Sequence, residues 1–139
     1  MKLDINYEAL EWEVVECPLV VTDEPVMWVA SVPDEFVNGG HHYKLANMCG
    51  VDPETGKTKT DGTYQYFSFL YKDIKDGFKS GVISEQIFSM MLNRTKKLNE
   101  MFPSLHNELV IDGLDISSKA TILRTKDRIN RGVVGQHKI

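Results

Sequence analysis

The side chains whose type and spacing best suit chemistry are the guanidinium groups in Arg124-Thr125-Lys126-Asp127-Arg128-Ile129-Asn130-Arg131. If this segment is helical, Arg124, Arg128 and Arg131 fall on one face. A planar guanidinium presents paired N–H donors that match the two oxygens of a phosphate or carboxylate. The chemistry implied is recognition of an anion, and Arg124, Lys126, Arg128 and Arg131 form the candidate ligand-binding set. A solvated charged face is the plain alternative, since exposed charge runs are common.

Other residue types that carry chemistry lack a pattern to join them. Nucleophilic catalysis needs a hydroxyl or thiol beside a base. Cys49 or a serine with His41, His42, His106 or His137 supplies the types, but there is no Gly-x-Ser-x-Gly elbow and no His-Glu-x-x-His. No catalytic residue is assigned, although a site assembled from distant residues would leave no local motif. Adjacent His41 and His42 in a strand point to opposite faces, so they cannot share one zinc ion with Cys49 or Cys17 without distortion. Neither a metal nor a cofactor is expected.

The string from Gly50 to Thr58 resembles a phosphate-binding loop, but five residues separate Gly50 from Gly56-Lys57-Thr58 where that loop has four. Pro53 removes an N–H donor, and Asp52 and Glu54 would repel a phosphate. A hairpin turn is expected instead. Asn93-Arg94-Thr95 matches a glycosylation pattern but falls inside an expected helix. Tyr64, Tyr66, Phe67, Phe69 and Tyr71 put aromatic rings on both faces of one strand, with Lys57 and Lys59 nearby. Such rings can stack on single-stranded nucleic acid, but the net charge of −4 opposes broad phosphate contact. A central strand, or one covered by another subunit, accounts for the pattern, and nucleic acid is not the expected partner.

The charge is unevenly distributed. Residues 1–40 hold nine acids and one base, whereas Ser117 to the end holds six bases and one acid. Such polarity points to an anionic partner for the basic end or to the acidic surface of a neighbouring copy. At 139 residues, with 42% hydrophobic and 26% charged residues, the composition is that of one globular domain spanning 1–139. The N-terminal residues lack an apolar signal region and no stretch is long enough to span a membrane. Two isolated cysteines, Cys17 and Cys49, fit free thiols in a reducing compartment, so a cytoplasmic location without membrane contact is expected.

These residues need elements to position them. Trp12–Cys17, Leu19–Val21 and Val26–Val29 have strand composition, and Thr22-Asp23-Glu24-Pro25 marks a hairpin turn. Pro33, Asp34 and Glu35 suit a short helical turn that Asn38-Gly39-Gly40 would stop. Residues 41–49 and 63–71 read as strands, separated by a long turn from Val51 to Gly62, and 73–80 as a short helix weakened by Gly77. The best-supported helix is 84–102, opened by Ser84 as N-cap and striped by Ile87, Met91, Leu98, Met101 and Phe102. Leu109-Val110-Ile111 and Leu114-Asp115-Ile116 read as a bent strand or hairpin about Asp112-Gly113. Residues 119–131 fit either a helix or a strand. The expected fold is α+β: an antiparallel sheet of about four to six strands with the 84–102 helix as its principal amphipathic helix, packed on one face.

The function expected from these features is that of a small, soluble, non-enzymatic binding protein. It self-associates and holds an anionic ligand, nucleotide-like or an acidic protein surface, through its basic C-terminal segment. The lack of motifs fits a viral or mobile-element accessory protein. Two alternatives stand beside it: a structural subunit of a larger homo-oligomeric assembly, and a small hydrolase or transferase whose site is scattered in sequence.

Overall fold

In residues 11–68 alternate side chains repeat along four extended runs, and the pleat sends them to opposite faces. The computed structural model describes residues 6–17, 22–31, 40–73 and 77–132. Its contacts form two compact units, Met1–Gly81 and Val82–Ile139. Among the described residues the fold is α+β: a four-stranded antiparallel sheet, a two-stranded sheet and two α-helices.

The first unit contains β1 (Glu11–Val14), β2 (Met27–Ser31), β3 (His42–Val51) and β4 (Thr58–Ser68), paired in chain order. Trp12 stands opposite Ala30, Trp28 opposite Lys44, Lys44 opposite Tyr66, and His42 opposite Ser68. This register gathers Trp12, Trp28, Lys44, Tyr64 and Tyr66 on one face. The Lys44 ammonium lies 4.4 Å from the Trp28 ring centroid, 5.1 Å from Tyr64 and 5.3 Å from Trp12, an electrostatic attraction between a cation and three ring faces. Phe67 and Phe69 pack edge to face at 5.2 Å, and Phe69 also meets Tyr43. β4 thus carries aromatic residues on both faces, Tyr64 and Tyr66 on one and Phe67 on the other, but among the described strands it lies at the sheet edge and not at its centre, and Phe69 and Tyr71 fall beyond its end.

β2 pairs antiparallel with β1; the hairpin expected about Thr22-Asp23-Glu24-Pro25 takes Leu19–Val21 as its first arm. Leu19, Val20 and Val21, and the helical turn expected at Pro33–Asn38, lie outside the described residues. Within the Gly50–Thr58 string, residues 52–57 make the turn from β3 to β4: Asp52 accepts from the Gly56 N–H through its carbonyl and from the Glu54 N–H through its carboxylate. Gly56, at φ 73°, supplies the left-handed residue the turn requires. The 73–80 helix is not formed. Tyr71–Asp73 (β5) and Gly77–Lys79 (β6) pair antiparallel, because Gly77 at φ 79° reverses the chain where a helix would need φ near −60°.

The second unit is an antiparallel helical hairpin of α1 (Ser84–Met101) and α2 (Leu105–Asn130). Ser84 begins α1 rather than capping it; the Gln86 side chain accepts from the Ile83 N–H at 2.9 Å. The tight connection is held by Asn99 Oδ1, which accepts from the Ser104 N–H at 3.0 Å, and by Asn107, which donates to the Phe102 carbonyl at 3.1 Å. Ser104 caps α2 by accepting from the Asn107 N–H at 3.0 Å. Residues 109–116, expected as a strand, lie within α2, and so do 119–130 of the segment that fitted either state.

The stripe expected on α1 is not what faces its partner. Met101 and Phe102 are 71% and 67% exposed. The covered residues of α1 include Phe88, Leu92, Thr95 and Asn99, and those of α2 include Asn107, Ile111, Leu114, Ser118 and Thr121. Both sets alternate spacings of four and three, the repeat of a helix seam. Small and polar side chains dominate it, and Thr95 and Ser118 are the buried residues at its middle.

Candidate functional site

α2 carries apolar residues on two opposite sides, which explains why it reads as a strand. Ile111 and Leu114 belong to the seam with α1. Leu105, Leu109, Ile116 and Leu123 do not. At about 100° per residue, Ile116 stands nearly opposite Ser118, and Leu109 nearly opposite Ile111. These four aliphatic side chains are 68%, 60%, 68% and 65% exposed. Leu109, Ile116 and Leu123 repeat every seven residues, and Asp112, Lys119 and Lys126 interleave with them on the same stripe. A heptad stripe is the side-chain pattern that packs against another helix.

α1 and the turn carry further exposed apolar residues. Met90 and Met101 are exposed, as are Phe102 and Leu105 at the hairpin tip. Methionine side chains are unbranched and adapt to varied contours. Isolated exposed apolar residues are ordinary, whereas a row of them along one helix face is the kind of patch found at interaction sites.

α2 brings Arg124, Arg128 and Arg131 to one flank and separates Lys126 from them, nearly opposite Arg128. Arg131 reaches Asp127 at 3.3 Å, and neither Arg128 nor Arg131 is free. The guanidinium flank lies about a quarter turn from the Ile116 stripe, so the two surfaces are distinct.

In the first unit, residues far apart in sequence form a polar network that no local motif signals. His42, 1% exposed, has Nδ1 2.8 Å from Ser68 Oγ and Nε2 3.4 Å from Tyr71 Oη. Ser68 Oγ also lies 2.7 Å from Tyr7 Oη. Burial, reinforced by the nearby His41 charge, pushes the His42 pKa down. A serine next to a neutral imidazole has the distances of a nucleophile and base, but both ends of this relay are closed by tyrosine hydroxyls. A pocket of 140 Å³ on the sheet is lined by Trp28, Ala46, Thr60, Gly62 and Tyr64 among others, and includes neither Ser68 nor His42. The network satisfies the polar groups of the most buried large side chain and so fixes the register of β3 on β4. Among the described residues, no group of three His, Cys, Asp or Glu side chains is placed to hold a metal ion.

The fold and the exposed stripe define the class: an α+β chain whose helical hairpin presents a second apolar side. No protein-family model matches this chain, and no curated protein matches it. No helix among the described residues is long and apolar enough to cross a membrane.

Proposed function

We propose that the chain is a non-enzymatic subunit of a homo-oligomeric assembly, joined to its neighbours through the outer side of α2. The observation that carries this reading is the row of Leu105, Leu109, Ile116 and Leu123, each at least 60% exposed on a helix already packed on its opposite side. Fully removing one such side chain from water contributes about 1.5–3 kcal/mol. Several per subunit, on both sides of a contact, reach the scale needed to offset the roughly 4–15 kcal/mol cost of association. Sedimentation analysis of the chain between micromolar and millimolar concentration tests the reading. A mass above that of one chain supports it, and a monomer throughout that range refutes it.

A second reading, an anionic ligand on the guanidinium flank, is favoured by Arg124 and Arg128 sharing one side of the last turns of α2. Inorganic polyphosphate added at low salt should raise the melting temperature, and 1 M salt should abolish the shift. An unchanged melting temperature at low salt would exclude this reading.

A further inference from the structure

The stripe on α2 has a polarity that selects its occupant. Read along the helix, it runs Leu105, Leu109, Asp112, Ile116, Lys119, Leu123, Lys126. Asp112 lies on the N-terminal side of Ile116 and Lys119 on the C-terminal side. The stripe is therefore apolar at its middle and near both ends, with opposite charges straddling the centre.

Resting on the assembly reading above, we infer that the occupant is the same stripe of a second copy, lying antiparallel across a two-fold axis near Ile116. In a parallel pair, equivalent residues would meet, Asp112 beside Asp112 and Lys119 beside Lys119, and each layer would repel. Turning the second helix end for end brings Asp112 within about one helical turn of the other copy's Lys119. The same rotation sets Leu109 near the other copy's Leu123. Both relationships occur twice, as an isologous two-fold contact demands. Lys119 also pairs with Asp115 of its own chain at 2.9 Å, so across the two-fold its ammonium is shared between that carboxylate and the other copy's Asp112. A two-fold contact uses the same patch on both copies and closes on itself. The α2 pairing therefore builds a dimer, and any larger assembly needs a second surface.

Charge exchange and cross-linking test orientation and occupant together. Asp112→Lys and Lys119→Asp are expected each to weaken association by roughly tenfold, and the double variant to restore it to within about threefold of wild type. In a background with Cys17 and Cys49 replaced by serine, chains carrying Leu109→Cys and chains carrying Leu123→Cys should form a disulfide when mixed and oxidised. Neither should cross-link with itself, because in an antiparallel pair like positions lie far apart. A chain that associates but cross-links Leu109→Cys to itself, or ignores the charge exchange, overturns the antiparallel pairing and leaves the assembly reading standing. A chain that is monomeric throughout overturns both.

Discussion

Thr125 Oγ1 donates to the Glu85 carboxylate at 3.2 Å, tying the start of α1 to the far end of α2. With Asn99 and Asn107 fastening the turn at the other end, the hairpin has a fixed rotation about each helix axis. That rotation decides which side of α2 meets α1 and which side faces away from it. The Thr125 hydroxyl also contacts the Thr121 carbonyl at 3.1 Å, so it is not left without a partner when Glu85 is removed. Glu85→Ala is expected to lower hairpin stability by about 0.5–1 kcal/mol, the low end for an exposed hydrogen bond. Helix ellipticity followed through a thermal melt measures the change, and no loss would show that the open end is held by packing alone.

Ser118 makes the opposite prediction. Its Oγ is buried in the seam and has no hydrogen-bond partner among the described residues, an arrangement that costs free energy relative to an apolar group of the same size. Alanine also has the higher helix propensity. Ser118→Ala should stabilise the hairpin by about 1 kcal/mol, read as a rise in Tm of a few degrees. A lower Tm would mean that Ser118 does not lie at the covered middle of the seam.

In the sheet unit the sensitive group is His42. Its folded-state pKa is depressed below the usual 6.5 by burial and by His41. The unfolded chain therefore takes up a proton at a higher pH than the folded one does. The neutral-imidazole contribution is fully present above pH 6.5 and is lost as pH falls from there through the lower folded pKa. Fluorescence of Trp12 and Trp28 should report a denaturation midpoint that declines below pH 6.5, and His42→Gln should flatten that slope while lowering stability overall. A slope unchanged by this substitution would assign the pH response to other groups.

Gly81 permits a close backbone approach. A Cβ built there would overlap the Phe69 carbonyl carbon and lie 2.6 Å from the Leu70 nitrogen. Both are backbone atoms, which cannot rotate away as a side chain tip can. Gly81→Ala is expected to destabilise the sheet unit by about 1–3 kcal/mol, measured by the same tryptophan fluorescence in denaturant. A neutral substitution would contradict this packing.

The sheet was legible in sequence because its signals are local. Alternation in residues 41–49 and the turn residues at Asp52 and Gly56 specify strand and reversal without reference to anything distant, whereas the strand expected over 63–71 starts earlier, at Thr58, and ends at Ser68. Helix 84–102 was legible for the same reason, but the identity of its packed face was not. Met91, Leu98 and Met101 form the more apolar stripe, yet the hairpin covers Leu92, Thr95 and Asn99. Periodicity reveals that a face will be buried and says nothing of which partner buries it. In α2, apolar residues on two opposite sides merged into short runs that imitate strands, so Leu109 to Ile116 was read with the wrong period. The seven-residue repeat of Leu109, Ile116 and Leu123 was the available signal. The His42, Ser68, Tyr7 and Tyr71 network had none, since strand register alone brings those residues together.

The central claim is that the outer side of α2 is an interface between copies and contributes nothing to the fold of the hairpin itself. Sedimentation equilibrium on wild type and Ile116→Asp, with helix ellipticity recorded on both, tests it most directly. Wild type should exceed the single-chain mass of 15.8 kDa, and Ile116→Asp should sediment as a monomer with its helix content and cooperative melt intact. A wild-type monomer, or an Ile116→Asp chain that remains associated, would contradict the claim.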